Sequence, residues 1–143
     1  MTALPMTIPA LHAASAAGIS PSEVVAQVYA RIDAVNDPGI FIHLVDHAEV
    51  LAAAKALGPF DPARPLWGIP FAIKDNIDAG GKPTTAACPA FAYTPQDDAF
   101  VVARLKEAGA LFLGKTTPDQ FATGPVRVPS PYPPPKNATG PQL

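Results

Sequence analysis

Apolar residues recur at helical spacing from Val24 to Ile32, directly after residues that can cap a helix. Ser20-Pro21-Ser22-Glu23 combines a capping serine, a proline suited to the first helical position and the glutamate of a capping box. It predicts a helix that runs to about Val35. Asp46 predicts the cap of a second helix, from about His47 to Leu57, which Gly58 ends.

Two further helix starts lie in the second half of the chain, and a short helix is also predicted around Ile8–Ala17. Asp97 and Asp98 place carboxylates where the first N–H groups of a helix are exposed. This helix is expected to end at Gly109, and its buried stripe is expected to comprise Phe100, Val101, Leu105 and Ala108. Thr117-Pro118-Asp119-Gln120 repeats the cap and proline pattern before a brief helix.

Three short apolar runs predict strands. They are Ile40–Val45, the segment from Ile69 to Ile73, and Ala110–Gly114. The sequence Asp78-Ala79-Gly80-Gly81 predicts a tight turn after the second strand, and we expect it to form a hairpin. The order strand, connection, helix, strand predicts an α/β fold in which helices cover a sheet.

The second apolar run ends in a lysine, and no charged residue precedes Lys74 within Gly68–Ile73. A lysine at the end of a buried strand must find partners or lose its proton, because desolvation lowers a lysine pKa by up to about 3–5 units. Such a lysine can act as a base, a nucleophile or a paired structural cation. On position alone, a surface pair of Lys74 with Asp75 in an ordinary turn is the commoner arrangement.

Composition narrows the class of protein. Of the 143 residues, 48% are hydrophobic and 15% are charged, and the net charge is -2. This leaves room for one domain and gives no reason to expect nucleic acid or an anionic membrane as a partner. We find no run of about 18 apolar residues and no pattern typical of a secretory signal peptide. A single cysteine, Cys88, cannot form an internal disulfide, so a cytoplasmic location is expected.

Other candidate ligands and nucleophiles are interpreted as structural. No third histidine, cysteine or carboxylate cluster lies at a recognisable spacing from His43 and His47 to complete a metal set, so no metal site is predicted. Cys88 lies among alanines beside Pro89 with no histidine nearby, and we expect it to contribute packing only.

The character of the chain changes after Gly124. The segment that follows is rich in proline: Pro125, Pro129, Pro131, Pro133, Pro134, Pro135 and Pro141. Neither a helix nor a central strand tolerates that density of proline. We therefore predict a folded region over residues 1–124 and an irregular, Pro-rich tail over residues 125–143.

The Lys74 motif and several later segments together resemble the amidase signature family. The motif is G-I-P-F-A-I-K-D-N-I at residues 68–77, and the segments that follow it in the family's order are Pro83–Thr85, Thr94–Ala99, Ala108–Thr116 and Asp119–Gly124. Within the family, Ala86–Phe91 and Asp119–Gly124 are most similar to allophanate hydrolase. The resemblance covers about Ser20 to Gly124. It implies the N-terminal part of the amidase-signature fold, an α/β architecture with a mixed sheet covered by helices.

The resemblance also implies a catalytic set. Members of this family hydrolyse amides with a serine nucleophile, a second serine in a cis peptide and a lysine, and Lys74 matches the family lysine. It is expected to take the serine proton through the second serine. The two serines are expected in a Gly/Ser-rich run after the Gly114-Lys115-Thr116 segment, where this chain has no such run. Because its serines are Ser15, Ser20, Ser22 and Ser130, we expect the chain to be inactive alone.

For the whole enzyme, the resemblance implies hydrolysis of allophanate to ammonia and carbon dioxide. This is the step of urea degradation that follows a biotin-dependent urea carboxylase. The resemblance implies no cofactor for the hydrolase step and is compatible with a homodimer. Two alternatives stay open. One is another amidase or a protein like the amidase component of an amidotransferase, and the other is a non-catalytic fragment or helper domain in which Lys74 is only a charged strand end.

Overall fold

The structure is a computed structural model that describes residues 4–123 and 130–140. The helices and strands of these residues are, in chain order, α1 (Ile8–Ala16), α2 (Pro21–Val35), β1 (Phe41–Leu44), α3 (His47–Ala56), β2 (Pro70–Lys74), α4 (Phe100–Glu107) and β3 (Leu111–Thr116). Short 3-10 helices cover Pro89–Phe91 and Gln120–Ala122. The α/β prediction is confirmed. Within the described ranges, no helix is long and apolar enough to cross a membrane.

The caps predicted for α2 and α3 are present. Ser20 N donates to Glu23 Oε2 over 2.8 Å, and Glu23 N donates to Ser20 Oγ over 3.2 Å, which completes the capping box. Asp46 caps α3 by accepting from Ala48 N over 2.8 Å. Because both helix starts are satisfied locally, their positions follow from the sequence alone.

Helices α2 and α3 pack against each other. The Tyr29 ring stacks on His47 with a centroid separation of 4.4 Å, and its hydroxyl donates to Val45 O over 2.6 Å. His47 therefore has a packing role, as expected. Burial raises the pKa of Tyr29 to about 12, and the charges of Asp46 and Glu49 add to the rise.

Helix α4 departs from the sequence prediction in its start and its buried face. It begins at Phe100, after the two aspartates, and Asp98 Oδ1 accepts from Gly80 N over 2.8 Å. Phe100 is 82% exposed and Val101 is 50% exposed, whereas Val102 is fully buried. Three consecutive apolar residues sweep through more than half of the helix circumference, at about 100° each, so the sequence could not decide which one faces inward.

The strands form a mixed sheet in the order β1-β3-β2. Strand β1 is antiparallel to β3, with Phe41 opposite Thr116 and Leu44 opposite Gly114. Strand β2 is parallel to β3, because the bonds from Leu111 N to Ile69 O and from Asp75 N to Thr116 O advance in the same direction along both strands.

The predicted hairpin after β2 is wrong, although its turn is present. Lys82 N donates to Ala79 O over 3.0 Å and closes the turn. Thr84 then pairs with Tyr93 in an isolated antiparallel bridge, by bonds of 2.8 and 3.1 Å between their backbones. The segment after the turn therefore takes its partner from a later part of the chain, which local turn chemistry does not specify.

The described residues divide into two compact units. One comprises residues 4–35, 45–71 and 103–113, and its core includes Leu11, Val24 and Ile69. The other comprises residues 36–44, 72–102, 114–123 and 130–140. Each unit is therefore formed by segments that are separate from one another in the sequence.

Residues 130–140 of the second unit contain neither helix nor strand. Lys136 N donates to Asp37 Oδ2 over 2.6 Å, which fastens this segment to the turn before β1. The predicted irregular tail also includes residues 125–129 and 141–143, which lie outside the described residues. The division of the chain at residue 124 stays a prediction.

Candidate active site

The residue predicted to be catalytic, Lys74, ends strand β2 and is exposed. Its neighbours Ile73 and Asp75 are both buried. Side chains along an extended chain alternate between two faces, so the burial of these neighbours directs Lys74 to the opposite side. Lys74 therefore lies at the surface, whereas Asp75, which position alone suggested as its surface partner, is buried. Its catalytic role stays a prediction.

Lys74 also opens a tight turn. Ile77 N donates to Lys74 O over 3.0 Å, and Asp75 N donates to Thr116 O of β3 over 3.1 Å. The backbone on which the Lys74 side chain stands is therefore hydrogen-bonded both within the turn and to the neighbouring strand.

A second lysine, Lys115 on β3, is fully buried behind this turn. Its ammonium donates to Ile77 O and, over 2.9 Å, to Thr84 Oγ1, and it lies 3.9 Å from Asp75 Oδ1. Burial lowers the pKa of Lys115 below its ordinary value, and the charges of Asp75 and Asp78 oppose that shift. Sequence reasoning assigned Lys115 to a motif but gave it no role. The available signal was that Lys115, like Lys74, directly follows an apolar run.

Asp75 is the buried carboxylate of the same cluster. Its Oδ2 accepts from Thr85 N over 3.1 Å, from Thr85 Oγ1 and from Ala87 N over 3.3 Å. Its Oδ1 has no hydrogen-bond partner among the described residues. A buried carboxylate is costly unless hydrogen-bonded and paired, and these donors together with Lys115 meet that need.

Asp78 extends the cluster toward Tyr93. Its Oδ1 accepts from Thr84 Oγ1 and from Tyr93 Oη, each over 2.8 Å. The hydrogen bond to Asp78 raises the pKa of Tyr93 above its ordinary value. Thr84, whose hydroxyl binds both Lys115 and Asp78, joins the buried and the exposed parts of the cluster.

Two pairs of non-glycine residues beside the cluster have left-handed backbones. Ala86 and Ala87 have φ values of 49° and 57°, and Phe121 and Ala122 have values of 51° and 56°. Phe121 N donates to Ala86 O over 2.9 Å, so the two pairs are hydrogen-bonded to each other. Such conformations cost about 1–3 kcal/mol each, and they persist only where the surroundings enforce them, often at functional sites.

The same segments line a pocket with a volume of about 240 Å³. Its walls are Asn76, Thr84, Ala86, Phe91, Tyr93 and Phe121. The rings of Phe91, Tyr93 and Phe121 meet edge to face with centroids 5.3 to 5.6 Å apart. In the described ranges, no group of three His, Cys, Asp or Glu side chains could hold a metal ion.

The serines do not complete a catalytic set with Lys74 in the described part of the chain. Ser20 is engaged in the α2 cap, and Ser130 Oγ accepts from Tyr132 N over 3.2 Å. None of the hydrogen bonds of these residues joins a serine to Lys74. The described residues therefore present Lys74 on an ordered turn, and none of them places a serine in hydrogen-bond contact with it.

Comparison with known proteins identifies the family. Residues 23–143 match the family model described as Amidase. The chain belongs to the amidase family. Urea amidolyase of Lachancea kluyveri is 65% identical over 68 residues, which are 48% of this chain and 4% of the relative. A glutamyl-tRNA(Gln) amidotransferase component of Nitratidesulfovibrio vulgaris is 44% identical over 110 residues, which are 75% of this chain and 21% of the relative.

Solved structures of amidases agree with the fold. An alanine variant of Kluyveromyces lactis allophanate hydrolase has a TM-score of 0.76 and 34% identity, covering 92% of this chain and 22% of that one. Another amidase has a TM-score of 0.79 and 29% identity, covering 95% of this chain and 32% of that one. The resemblance of this chain to the amidase family and to allophanate hydrolase is confirmed. The chain spans less than a third of the length of any of these relatives.

Proposed function

We propose that this chain provides the lysine-bearing part of an amidase that hydrolyses allophanate, with Lys74 as the catalytic base. The observation that supports it most directly is the position of Lys74. It stands exposed at the end of β2, on a turn that is hydrogen-bonded to β3, within the motif that resembles the family's catalytic segment. The identity of 62 to 65% to two urea amidolyases favours this branch of the family.

The chemistry requires a neutral lysine and two serines. An amide carbonyl resists attack by a serine hydroxyl until a base removes the hydroxyl proton. Lys74 would accept that proton through the second serine, and the same path would return it to the leaving nitrogen. A lysine is neutral near pH 7 only when it is desolvated, so in the active enzyme the segment that carries the serines would also cover Lys74.

The 143-residue chain alone is proposed to be inactive. After Lys115 the sequence contains a single serine, Ser130, which lies between two prolines. No Gly/Ser-rich run follows β3 to supply a nucleophile, its relay and the backbone N–H groups that would stabilise an oxyanion.

The wider context follows from the same proposal. The substrate would be allophanate, released as ammonia and carbon dioxide, and the supplier of that substrate would be a biotin-dependent urea carboxylase. The enzyme would work in the cytoplasm and would need neither a cofactor nor nucleic acid. Its oligomeric state would be a homodimer, as is common in the family.

A second candidate is an amidase of the amidotransferase type. It is favoured by the broader coverage of this chain in those relatives, 75% against 48% for the urea amidolyases. A non-catalytic helper role is a further alternative, favoured by the exposure of Lys74 and the absence of a bonded nucleophile among the described residues.

A graft tests the proposal. Residues 20–124 of this chain would replace the aligned segment of Kluyveromyces lactis allophanate hydrolase, and ammonia release would be measured with allophanate and with glutamine. We expect turnover of allophanate, and a fall in kcat of about 10²- to 10⁴-fold in the Lys74→Ala graft, which is typical for loss of a general base. Lys55→Ala, at an exposed lysine of α3, is the matched control.

The outcomes separate the candidates. A folded graft that releases ammonia from glutamine but not from allophanate would support the amidotransferase type. Unchanged turnover in the Lys74→Ala graft would remove Lys74 from catalysis. Turnover of allophanate by the 143-residue chain itself, abolished by Lys74→Ala, would contradict the proposed inactivity.

A further inference from the structure

Lys115 is a buried charged group for which the proposed mechanism has no use. We propose that Lys115 is a positioning residue, whose ammonium holds the Lys74–Ile77 turn so that the Lys74 side chain starts from a fixed backbone. The importance of this role for catalysis rests on the proposed function of Lys74. The hydrogen bond by which Lys115 fixes the turn does not depend on that function.

Two adjacent residues of β3, Lys115 and Thr116, form hydrogen bonds to this turn at different points. The backbone carbonyl of Thr116 accepts from Asp75 N over 3.1 Å, directly after Lys74. The side chain of Lys115 reaches past that contact and donates to Ile77 O, at the end of the turn. Since Ile77 N in turn donates to Lys74 O over 3.0 Å, fixing Ile77 also fixes the carbonyl of Lys74.

The ammonium also joins this turn to the segment with the left-handed backbone. Thr84 Oγ1 accepts from Lys115 over 2.9 Å, and Asp75, 3.9 Å from the same ammonium, binds Thr85 N and Ala87 N. One cation therefore lies between the turn that carries Lys74 and the loop that forms one wall of the pocket.

Global stability alone gives no reason for a lysine here. A buried ion pair can often be replaced by apolar residues of similar volume without loss of stability, because the desolvation of both charges opposes their attraction. Methionine has nearly the length of lysine but donates no hydrogen bond. What a methionine at position 115 cannot provide is the bond to Ile77 O, so position and stability can be tested separately.

The test uses the 143-residue chain labelled with ¹⁵N and ¹³C. In the double variant Lys115→Met/Asp75→Asn, which leaves no unpaired buried charge, we expect amide hydrogen-exchange protection at Ile77 to fall. A fall of about tenfold or more corresponds to one lost bond to a charged group. The ¹³Cα shift of Lys74 should change as well.

Two controls accompany this test. Protection of the Val50 amide, which donates to Asp46 O within α3, should stay the same in the double variant. All measured values should stay the same in the control variant Lys55→Met.

A measurement on the unaltered chain covers the case in which the variant does not fold. Lys115 should give a slowly exchanging ammonium signal, with a scalar coupling across the hydrogen bond between its ¹⁵Nζ and the ¹³C′ of Ile77. Absence of that signal and coupling would overturn the proposal. So would unchanged protection at Ile77 in a folded double variant. Neither readout depends on turnover, so failure here is distinguishable from failure of the grafted enzyme.

Discussion

Two lysines at the ends of neighbouring strands have opposite environments. Lys74 follows the apolar run of β2 and is exposed, whereas Lys115 lies near the end of β3 with no exposed surface. Both follow apolar residues in the sequence, so the sequence pattern does not distinguish them. Side chains alternate between the two faces of a strand, so the position of each lysine along its strand sets the face on which it lies. The elements packed on that face then decide which ammonium is desolvated.

The lowered pKa of Lys115 predicts a pH dependence of stability. The unfolded lysine keeps its proton up to an ordinary pKa of 10.5, whereas the folded one releases it at lower pH. Between these two values the unfolded chain binds more protons, so the contribution of Lys115 to the free energy of unfolding rises with pH. Urea denaturation at a series of pH values that approach 10.5 from below should show the unaltered chain gaining stability relative to Lys115→Met/Asp75→Asn. A constant difference across that range would contradict the prediction.

Tyr29 should have the opposite dependence. Its pKa is raised from 10.0 to about 12, so the folded chain keeps the phenolic proton in that interval and stability falls as the pH rises through it. Tyr29→Phe should lower the free energy of unfolding by about 1 kcal/mol at neutral pH, through loss of the bond to Val45 O. It should also show a smaller alkaline loss. Urea denaturation near neutral pH and at about pH 11 measures both effects, and equal alkaline loss in the two proteins would refute the assignment.

At the scale of elements, the helices with capping signals were predicted most closely. The predicted limits of α2 and α3 agree with the observed Pro21–Val35 and His47–Ala56 within one residue or so. The caps are bonds between residues two or three apart, which any chain with that sequence can form before it packs.

The α2 cap therefore gives a local prediction. Ser20→Ala removes the hydroxyl that accepts from Glu23 N, and we expect it to lower the free energy of unfolding by about 1 kcal/mol. Ser22→Ala is the matched control, because it changes a helical serine two residues away and should have an effect within about 0.5 kcal/mol. Urea denaturation of both variants makes the comparison, and equal effects would show that the capping box is not what begins the helix.

Helix α4 shows where local signals fail, and it provides a matched pair. Val102 is fully buried and Phe100 is 82% exposed, although the sequence placed Phe100 in the buried stripe. We expect Val102→Ala to lower the free energy of unfolding by about 2 kcal/mol, since it leaves a cavity. Phe100→Ala should change it by no more than about 0.5 kcal/mol. Thermal or urea unfolding of the two variants tests the order, and a larger loss for Phe100→Ala would reverse the assignment.

At the scale of the whole molecule, membership of the amidase family and the mixed sheet were predicted from ordered motifs. The hairpin was not predicted correctly, because Thr84 bonds to Tyr93 and not back to β2. The chain covers 22% of an allophanate hydrolase of known structure.

The sequence by itself determined the capped helices, the three apolar strands and the family, because these depend on bonds and periodicities within a few residues of each other or on motifs in a fixed order. Only the tertiary structure decided which side chains are buried. It exposed Lys74 and buried Lys115 with Asp75 and Thr84, residues that are far apart in the chain. Desolvation depends on everything that packs around a group, and no local pattern of residues contains that information.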